Sequence, residues 1–238
     1  MNTLERLDNV SLAELEASVP LRVREDRKHV LDAVTLQRLY ELLAPTHAAL
    51  EIGGRRAFTY DSVYFDTEEL LTARAHVQRR RRRFKCRSRL YVESGTCAFE
   101  LKVKGARGET VKHRMPYDTA DHGALTPDAR AFVAEHVDQT PDLVPVLRTT
   151  YTRTTLVGPA ERVTIDVELS FGAARLRDGW AIVETKSVRG AGVADGELRR
   201  LGSRPVSLSK YVLGTGLTRM PNPPNDSRQI ARKYFSRA

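Results

Sequence analysis

Alternation of apolar and charged positions dominates the chain. In "RRFKCRSRLYVE" (82–93) every second residue from Arg83 to Arg89 is cationic, and Phe84, Cys86 and Leu90 take the alternate positions. A period of two is that of a strand with two unlike faces. Similar runs occur in "RAFTYDSVYFDT" (56–67), "TCAFELKVKG" (96–105), "VKHRMPYD" (111–118), "VLRTTYTRTTLV" (146–157), "RVTIDVELSF" (162–171) and "WAIVETKSV" (180–188). "LRVREDRKHVL" (21–31) alternates well enough to join them. Gly, Pro, Asn, Asp or Ser punctuates the runs, as strand ends require.

Helical spacing is rarer. Residues 10–19 predict a short helix, and "DAVTLQRLYELLAP" predicts a second, with Asp32 as cap, Leu36, Leu39, Tyr40 and Leu43 on one stripe, and Pro45 as the stop. A third is predicted in "TPDARAFVAEHV", where Thr126 can cap and Pro127 suits the first helical position. Many strands and few helices predict a mainly β (α+β) fold, an antiparallel barrel or sandwich with a few flanking helices. We expect one domain over residues 1–220, with the helix in 1–19 appended. The Pro- and Asn-rich, then basic, segment 221–238 reads as a tail of low order.

The hairpin 82–105 permits a register argument. A two-residue Ser94-Gly95 turn pairs Glu93 with Thr96, Arg89 with Glu100, Arg87 with Lys102 and Lys85 with Lys104. Phe84, Cys86, Leu90, Phe99, Leu101 and Val103 then share the opposite face. The division recurs in 162–169, where Val163, Ile165, Val167 and Leu169 oppose Arg162, Thr164, Asp166 and Glu168. Ile182, Glu184 and Lys186 share one face, as do Tyr151 and Arg153. A single strand with one wet face is ordinary. Like charges placed directly opposite are not, because they destabilise a sheet unless an anion or carboxylates sit between them. A charged face lining a cavity for a polyphosphate-like anion meets that requirement.

Charge agrees with this reading. Thirty-nine Lys and Arg against 30 Asp and Glu give a formal +9, which points to a polyanionic partner. Cys86 and Cys97 are too few for a disulfide framework or a cysteine-based zinc site. No apolar run of about 18 residues offers a membrane span, and the acidic, amphipathic N-terminus is not a secretory signal, so the expected location is the cytoplasm. Glu100 and Glu184 suit a hard divalent cation such as Mg2+ or Mn2+. Glu100 could equally be the partner of a neighbouring Arg or Lys.

Taken together, "EDRKHVL", "SVYFDT", "KCRSRLY", "FELKVKG", "YTRTTL", "RVTIDVEL", "AIVETKS" and "LSKYVLG" resemble, in order and spacing over residues 20–217, the catalytic domain of the vacuolar transporter chaperone (VTC) polyphosphate polymerases. These belong to the triphosphate tunnel metalloenzymes. The resemblance implies an antiparallel β-barrel tunnel lined by basic residues, with Lys28, Arg87, Arg89, Lys102, Arg153, Lys186 and Lys210 as phosphate ligands. Lys85, Lys104, Tyr151, Arg162 and Ser209 are further substrate-binding candidates, and Ser209 also reads as a helix cap. Glu184, with Glu100 as a second candidate, is the expected ligand of Mn2+ or Mg2+. The implied substrates are ATP with orthophosphate or a growing polyphosphate chain. Water as acceptor gives instead an inorganic or nucleoside triphosphatase, and an inactive site gives a polyphosphate-binding module. The chain lacks the Glu-x-Glu-x-Lys strand of the CYTH relatives, having "REDRK". It also lacks the SPX domain and membrane segment of the eukaryotic polymerases. A membrane-protein partner recruiting it to the inner face of the membrane fits that difference.

Other chemistry finds little support. "VRGAGVADG" (188–196) has no P-loop lysine, and the six histidines have no metal-ligand spacing. The run Arg79–Arg83 would suit nucleic acid or a membrane surface. Nucleic-acid readers interleave aromatics to stack bases, whereas Phe84 points away from the arginine face, so no specific nucleic acid is expected and a solvated surface is the plainer reading.

Overall fold

A computed structural model describes residues 3–17, 25–105 and 110–237. The last two residues of the predicted helix 10–19 and the start of the predicted strand 21–31 lie outside the described residues. In chain order the elements are β1 (Asp8–Val10), α1 (Leu12–Ala17), β2 (Glu25–Asp32), α2 (Ala33–Leu43), β3 (Ala48–Leu50), β4 (Phe58–Asp66), α3 (Leu71–Val77), β5 (Arg83–Tyr91), β6 (Thr96–Lys104), β7 (Thr110–Tyr117) and α4 (Pro127–His136). There follow β8 (Val144–Gly158), β9 (Glu161–Ser170), β10 (Ala174–Leu176), β11 (Trp180–Ser187), α5 (Val193–Arg200), α6 (Lys210–Thr218), α7 (Asn225–Tyr234) and β12 (Phe235–Arg237). The fold is mainly antiparallel β with several helices, as the alternation predicts. Among the described strands β7 pairs with β6 alone, so the ladder is open rather than a closed hydrogen-bonded barrel.

The chain divides into two compact units built from interleaved segments: residues 1–58, 152–169 and 176–207 form the first, and 59–151, 170–175 and 208–238 the second. In the first unit β11 lies between β2 and β9, antiparallel to both, and β1 pairs with β3 in parallel. Its core comprises Leu31, Leu39, Leu43, Leu156, Val163, Ile165, Val183 and Leu198 with their neighbours. Leu36 and Tyr40 pack against this core, completing the predicted stripe of α2. Asp32 caps that helix by accepting from the Thr35 amide at 2.8 Å, an arrangement that satisfies one otherwise orphaned donor.

In the second unit β4, β5, β6 and β7 form a run of antiparallel pairs. Phe65, Cys86, Phe99, Leu101, Ala129 and Val133 are fully buried beneath it. Each large side chain there contributes roughly 1.5–3 kcal/mol, so the apolar face of β5 and β6 fixes the charged face opposite. Asp66, wholly buried, accepts from the amides of Thr72 and Ala73 at the start of α3 and from the Tyr211 hydroxyl. One carboxylate thus ties α3 and α6 to the end of β4. Helix α6 sits close: a Cβ at Gly214 would lie 2.6 Å from Leu147.

Two expectations are corrected. Residues 92–94 form a 3-10 turn and Gly95 adopts φ 62°, so the β5–β6 connection spans four residues and pairs Tyr91 with Thr96. The register moves by two: Arg87 faces Glu100, Lys85 faces Lys102, Arg83 faces Lys104 and Arg89 faces Ala98. Because the shift is even, every side chain keeps its predicted face. The segment 221–238 is not a tail of low order, since α7 buries Ser227 and Ile230, and Phe235 stacks on Phe171 with centroids 5.7 Å apart.

Candidate functional site

The second unit gathers its charged groups on the wet face of β4, β5 and β6. Tyr64 faces Arg87 across the ladder, and Ser62 faces Arg89. Arg87 donates through Nε and Nη2 to Glu100 Oε2 at 2.8 and 2.6 Å, and through Nη1 to the Tyr64 hydroxyl at 2.7 Å. Arg89 donates to Ser62 Oγ at 3.0 Å and to the Tyr151 hydroxyl at 2.9 Å, and lies 5.1 Å from the centroid of Tyr60. Lys210, at the start of α6, places Nζ 4.7 Å from the Tyr151 ring centroid. Ser209 caps α6 at the Val212 amide and also accepts from Lys85 Nζ at 3.4 Å.

Glu100 is the carboxylate that these arginines engage. Its side chain is 2% exposed, with Lys112 Nζ 2.5 Å from Oε1 and Arg89 Nη1 3.8 Å from Oε2. Burial alone would raise its pKa, but Arg87, Arg89 and Lys112 outweigh burial and hold it well below the usual carboxylate range. Burial works the other way on Arg87, where Tyr64, Glu100 and Tyr151 overcome it and keep the guanidinium charged. With cations beside both oxygens, Glu100 is a charge partner in this arrangement.

In the first unit, Glu184 on β11 faces Lys28 on β2 and Thr164 on β9. Its Oε1 lies 3.3 Å from Lys28 Nζ and 3.1 Å from Lys186 Nζ. Arg153 makes two hydrogen bonds, of 2.6 and 2.8 Å, to the fully buried Asp166. Lys186 faces Arg162 and Asp26, and Arg162 donates to the Leu15 carbonyl at 3.2 Å. Burial, with the Arg153 charge adding to it, lowers the Lys186 pKa to about 8 despite the opposing pull of Glu184.

Among the described residues no three acidic, histidine or cysteine side chains converge as a metal-ligand set. Glu184 fits a hard divalent ion as a single carboxylate. Across the ladder the Thr164 hydroxyl is buried without a hydrogen-bond partner, so this spot has oxygen to offer. Mg2+ is commonly held by one or two carboxylates, with water and substrate phosphates completing its shell. One carboxylate is therefore enough for a site that forms with its substrate.

The sequence-predicted residues fall into two sets. Glu100 meets Arg87 and Arg89, Arg89 meets Tyr151, and Lys210 lies over the Tyr151 ring, all in the second unit with the Lys85–Ser209 pair. Lys28, Glu184 and Lys186 meet in the first unit, where Arg153 is engaged by Asp166. Lys102 and Lys104 lie further out along β6, on the face that Glu100 shares. Sequence reasoning missed Tyr60, Ser62, Tyr64 and Lys112. The first three were visible as alternate residues of "FTYDSVYFD", on the face opposite Val63 and Phe65.

Comparison with known proteins follows this geometry. Residues 23–218 match the VTC domain family. A Hippeastrum protein described as an adenylyl cyclase with a dominant triphosphatase activity superposes with a TM-score of 0.57 at 17% identity, covering 82% of this chain and 97% of its own. A Vibrio parahaemolyticus protein described as an adenylate cyclase gives 0.44 at 11% identity, over 76% of this chain and 84% of its own. An S. pombe RNA triphosphatase gives 0.32 at 9% identity, over 76% of each chain. The fold likeness rests on the first of these. No curated protein matches the chain. With four-fifths of its residues matched to one family, the chain belongs to the VTC domain family.

Proposed function

We propose that this VTC-domain protein is a metal-dependent phosphotransferase that moves the γ-phosphoryl group of ATP onto orthophosphate or the end of a growing polyphosphate chain. The observation that carries the proposal is the pairing of Arg87 and Arg89 with phenol and hydroxyl groups beside the Glu100 carboxylate. Planar guanidiniums bind phosphate oxygens in a bidentate manner, and here Ser62, Tyr64 and Tyr151 hold the forks in place beforehand. Preorganised donors of this kind lower the barrier without reorganising during the reaction.

A divalent ion on Glu184 would neutralise charge on the transferring phosphoryl group. The acceptor oxygen is already anionic, so bond formation to the γ-phosphorus and departure of ADP need no side-chain nucleophile and no strong base. Lys28 and Lys186, held by Glu184, would supply positive charge to phosphate oxygens beside the ion. A second reading, hydrolysis of the same triphosphate by water, is favoured by the activity described for the Hippeastrum protein.

Purified protein incubated with ATP and Mn2+, with chain-length-resolved polyphosphate and free phosphate both measured, separates the two. Polyphosphate that disappears with Glu184→Ala, and falls on the order of 100-fold or more with Arg89→Ala, is the expected result. Free phosphate alone assigns the hydrolase, and normal turnover by Arg89→Ala removes the site assignment.

A further inference from the structure

Strand β7 has a second side, away from Lys112 and Arg114. His113, Met115 and Tyr117 alternate onto it, each half-buried, and His113 faces the fully buried Leu101 on β6. Helix α4 lays Ala129 and Val133 into the same core and ends at His136. Strand and helix thus join two histidines that lie far apart in the sequence. Their ring centroids are 3.7 Å apart, with the planes inclined at 58°.

The hydrogen bonding around the pair suits metal ligands. His136 Nδ1 lies 2.9 Å from the Phe132 carbonyl. A carbonyl only accepts, so Nδ1 carries the proton and Nε2 keeps its lone pair. Metal-binding histidines are oriented in this way, by a carbonyl or carboxylate on the other ring nitrogen. Among the described residues neither ring nitrogen of His113 makes a hydrogen bond. Burial and the neighbouring His136 hold the His113 pKa below the ordinary histidine value, against the pull of Glu135. The neutral form is the one a metal takes.

The surroundings also favour a cation. His136 closes α4, and the C-terminal end of a helix carries partial negative charge. Glu135 adds a carboxylate, 72% exposed, with Oε2 4.0 Å from His136 Nδ1. The His136 side chain is itself 18% exposed, so an ion can reach it from solvent.

We propose that His113 and His136 form a binding site for a transition-metal ion of the Zn2+, Ni2+ or Cu2+ class, with water in the remaining positions and Glu135 lending charge beside it. Metal–nitrogen bonds of about 2.0–2.1 Å are reached by turning the two half-buried rings about their side-chain torsions. Imidazole nitrogens select these ions, whereas a carboxylate with water and phosphate oxygens selects Mg2+ or Mn2+. The site is therefore distinct in ligand chemistry from the one assigned to Glu184, and it belongs to the second unit. An ion held there ties α4 to β7, which pairs with β6 alone among the described strands.

The test is titration calorimetry of the full chain with ZnCl2 in phosphate-free buffer, at about pH 7.5 and about pH 5.5, on the parent, His113→Gln and His136→Gln. One ion per chain is expected at the higher pH, bound at least ~10-fold more weakly by each variant and by the parent at the lower pH, where protons compete for the imidazoles. Zinc at about 100 times Kd should raise the parent's melting midpoint by roughly 5–10 °C. NMR of the parent gives a readout independent of any variant's folding: the ring protons of His113 and His136 should move on adding Zn2+, and those of the buried His29 and His47 should not.

No saturable binding up to about 1 mM Zn2+, or ring signals of His113 and His136 that stay in place, would overturn the site. Loss in only one of the two variants would reduce it to a single-histidine contact and overturn the pair. Binding abolished by Glu184→Ala but kept by both histidine variants would place the ion in the first unit instead.

Discussion

Replacing Glu100 by glutamine separates a charge partner from a metal ligand. The side chain keeps its shape and one neutral acceptor, while Arg87, Arg89 and Lys112 lose the carboxylate among them. Removing one member of a buried ion pair costs about 3–5 kcal/mol. Lys112 is nearly half exposed, so its share is small, and the retained amide oxygen still accepts from Arg87. The loss should be about 3 kcal/mol, which for a chain of this size lowers the melting midpoint by roughly 6–12 °C.

The pH dependence fixes the sign. The folded-state pKa of Glu100 is depressed, so its stabilisation is complete above the unfolded value of about 4.3 and is lost as pH falls below it. Parent and variant melting curves should differ at neutral pH and converge on acidification. Tripolyphosphate should raise the midpoint more in Glu100→Gln than in the parent, because the face meeting the anion has gained one unit of net positive charge. Metal dependence of turnover should survive. A midpoint within about 2 °C of the parent, less than ~1 kcal/mol, would refute the reasoning, as would turnover that no longer responds to metal.

Two further outcomes follow from the geometry. Lys186 has a folded pKa near 8 against about 10.4 unfolded; between those values the unfolded chain binds the extra proton, so this group makes stability rise with pH, by at most about 3 kcal/mol. Tripolyphosphate affinity should fall over the same interval as the ammonium is neutralised, and calorimetry above and below pH 8 on parent and Lys186→Met would expose an error if both proteins changed alike. Phe235→Ala removes a side chain 5% exposed and stacked on Phe171, a loss of about 3 kcal/mol in urea unfolding; a change under ~0.5 kcal/mol would mean the C-terminal segment adds nothing to the second unit.

What the sequence revealed divides along physical lines. The faces of the strands were legible because side-chain period is local and independent of partner: Cys86, Phe99 and Leu101 are buried where alternation put them. The hairpin register was not legible, because Ser94-Gly95 suits a two-residue turn as well as the end of a four-residue one, and nothing local decides between them. Helix α3 was missed for a different reason. Its first amides are satisfied by Asp66, five residues before the helix, and Leu70 precedes it with φ 60°, so the usual cap signal is absent. In α7 the Pro- and Asn-rich approach hid a helix whose apolar contacts amount to Ile230 and the following Phe235. Lys112 went unassigned because its role depends on β7 lying beside β6, which period alone does not state.

The corrected register changes how the charged face should be understood. In the predicted pairing Glu100 balanced Arg89, while Arg87 met Lys102 and Lys85 met Lys104. In the observed pairing Glu100 balances Arg87 instead, and the like-charge pairs are Lys85 with Lys102 and Arg83 with Lys104. The buried part of the face is thus neutralised from within, and two strands can be ordered there without a ligand. The outer part sets like charges opposite one another, with Lys85 also bonded to Ser209 and Lys112 to Glu100. An anion adds least where a carboxylate already sits and most where none does.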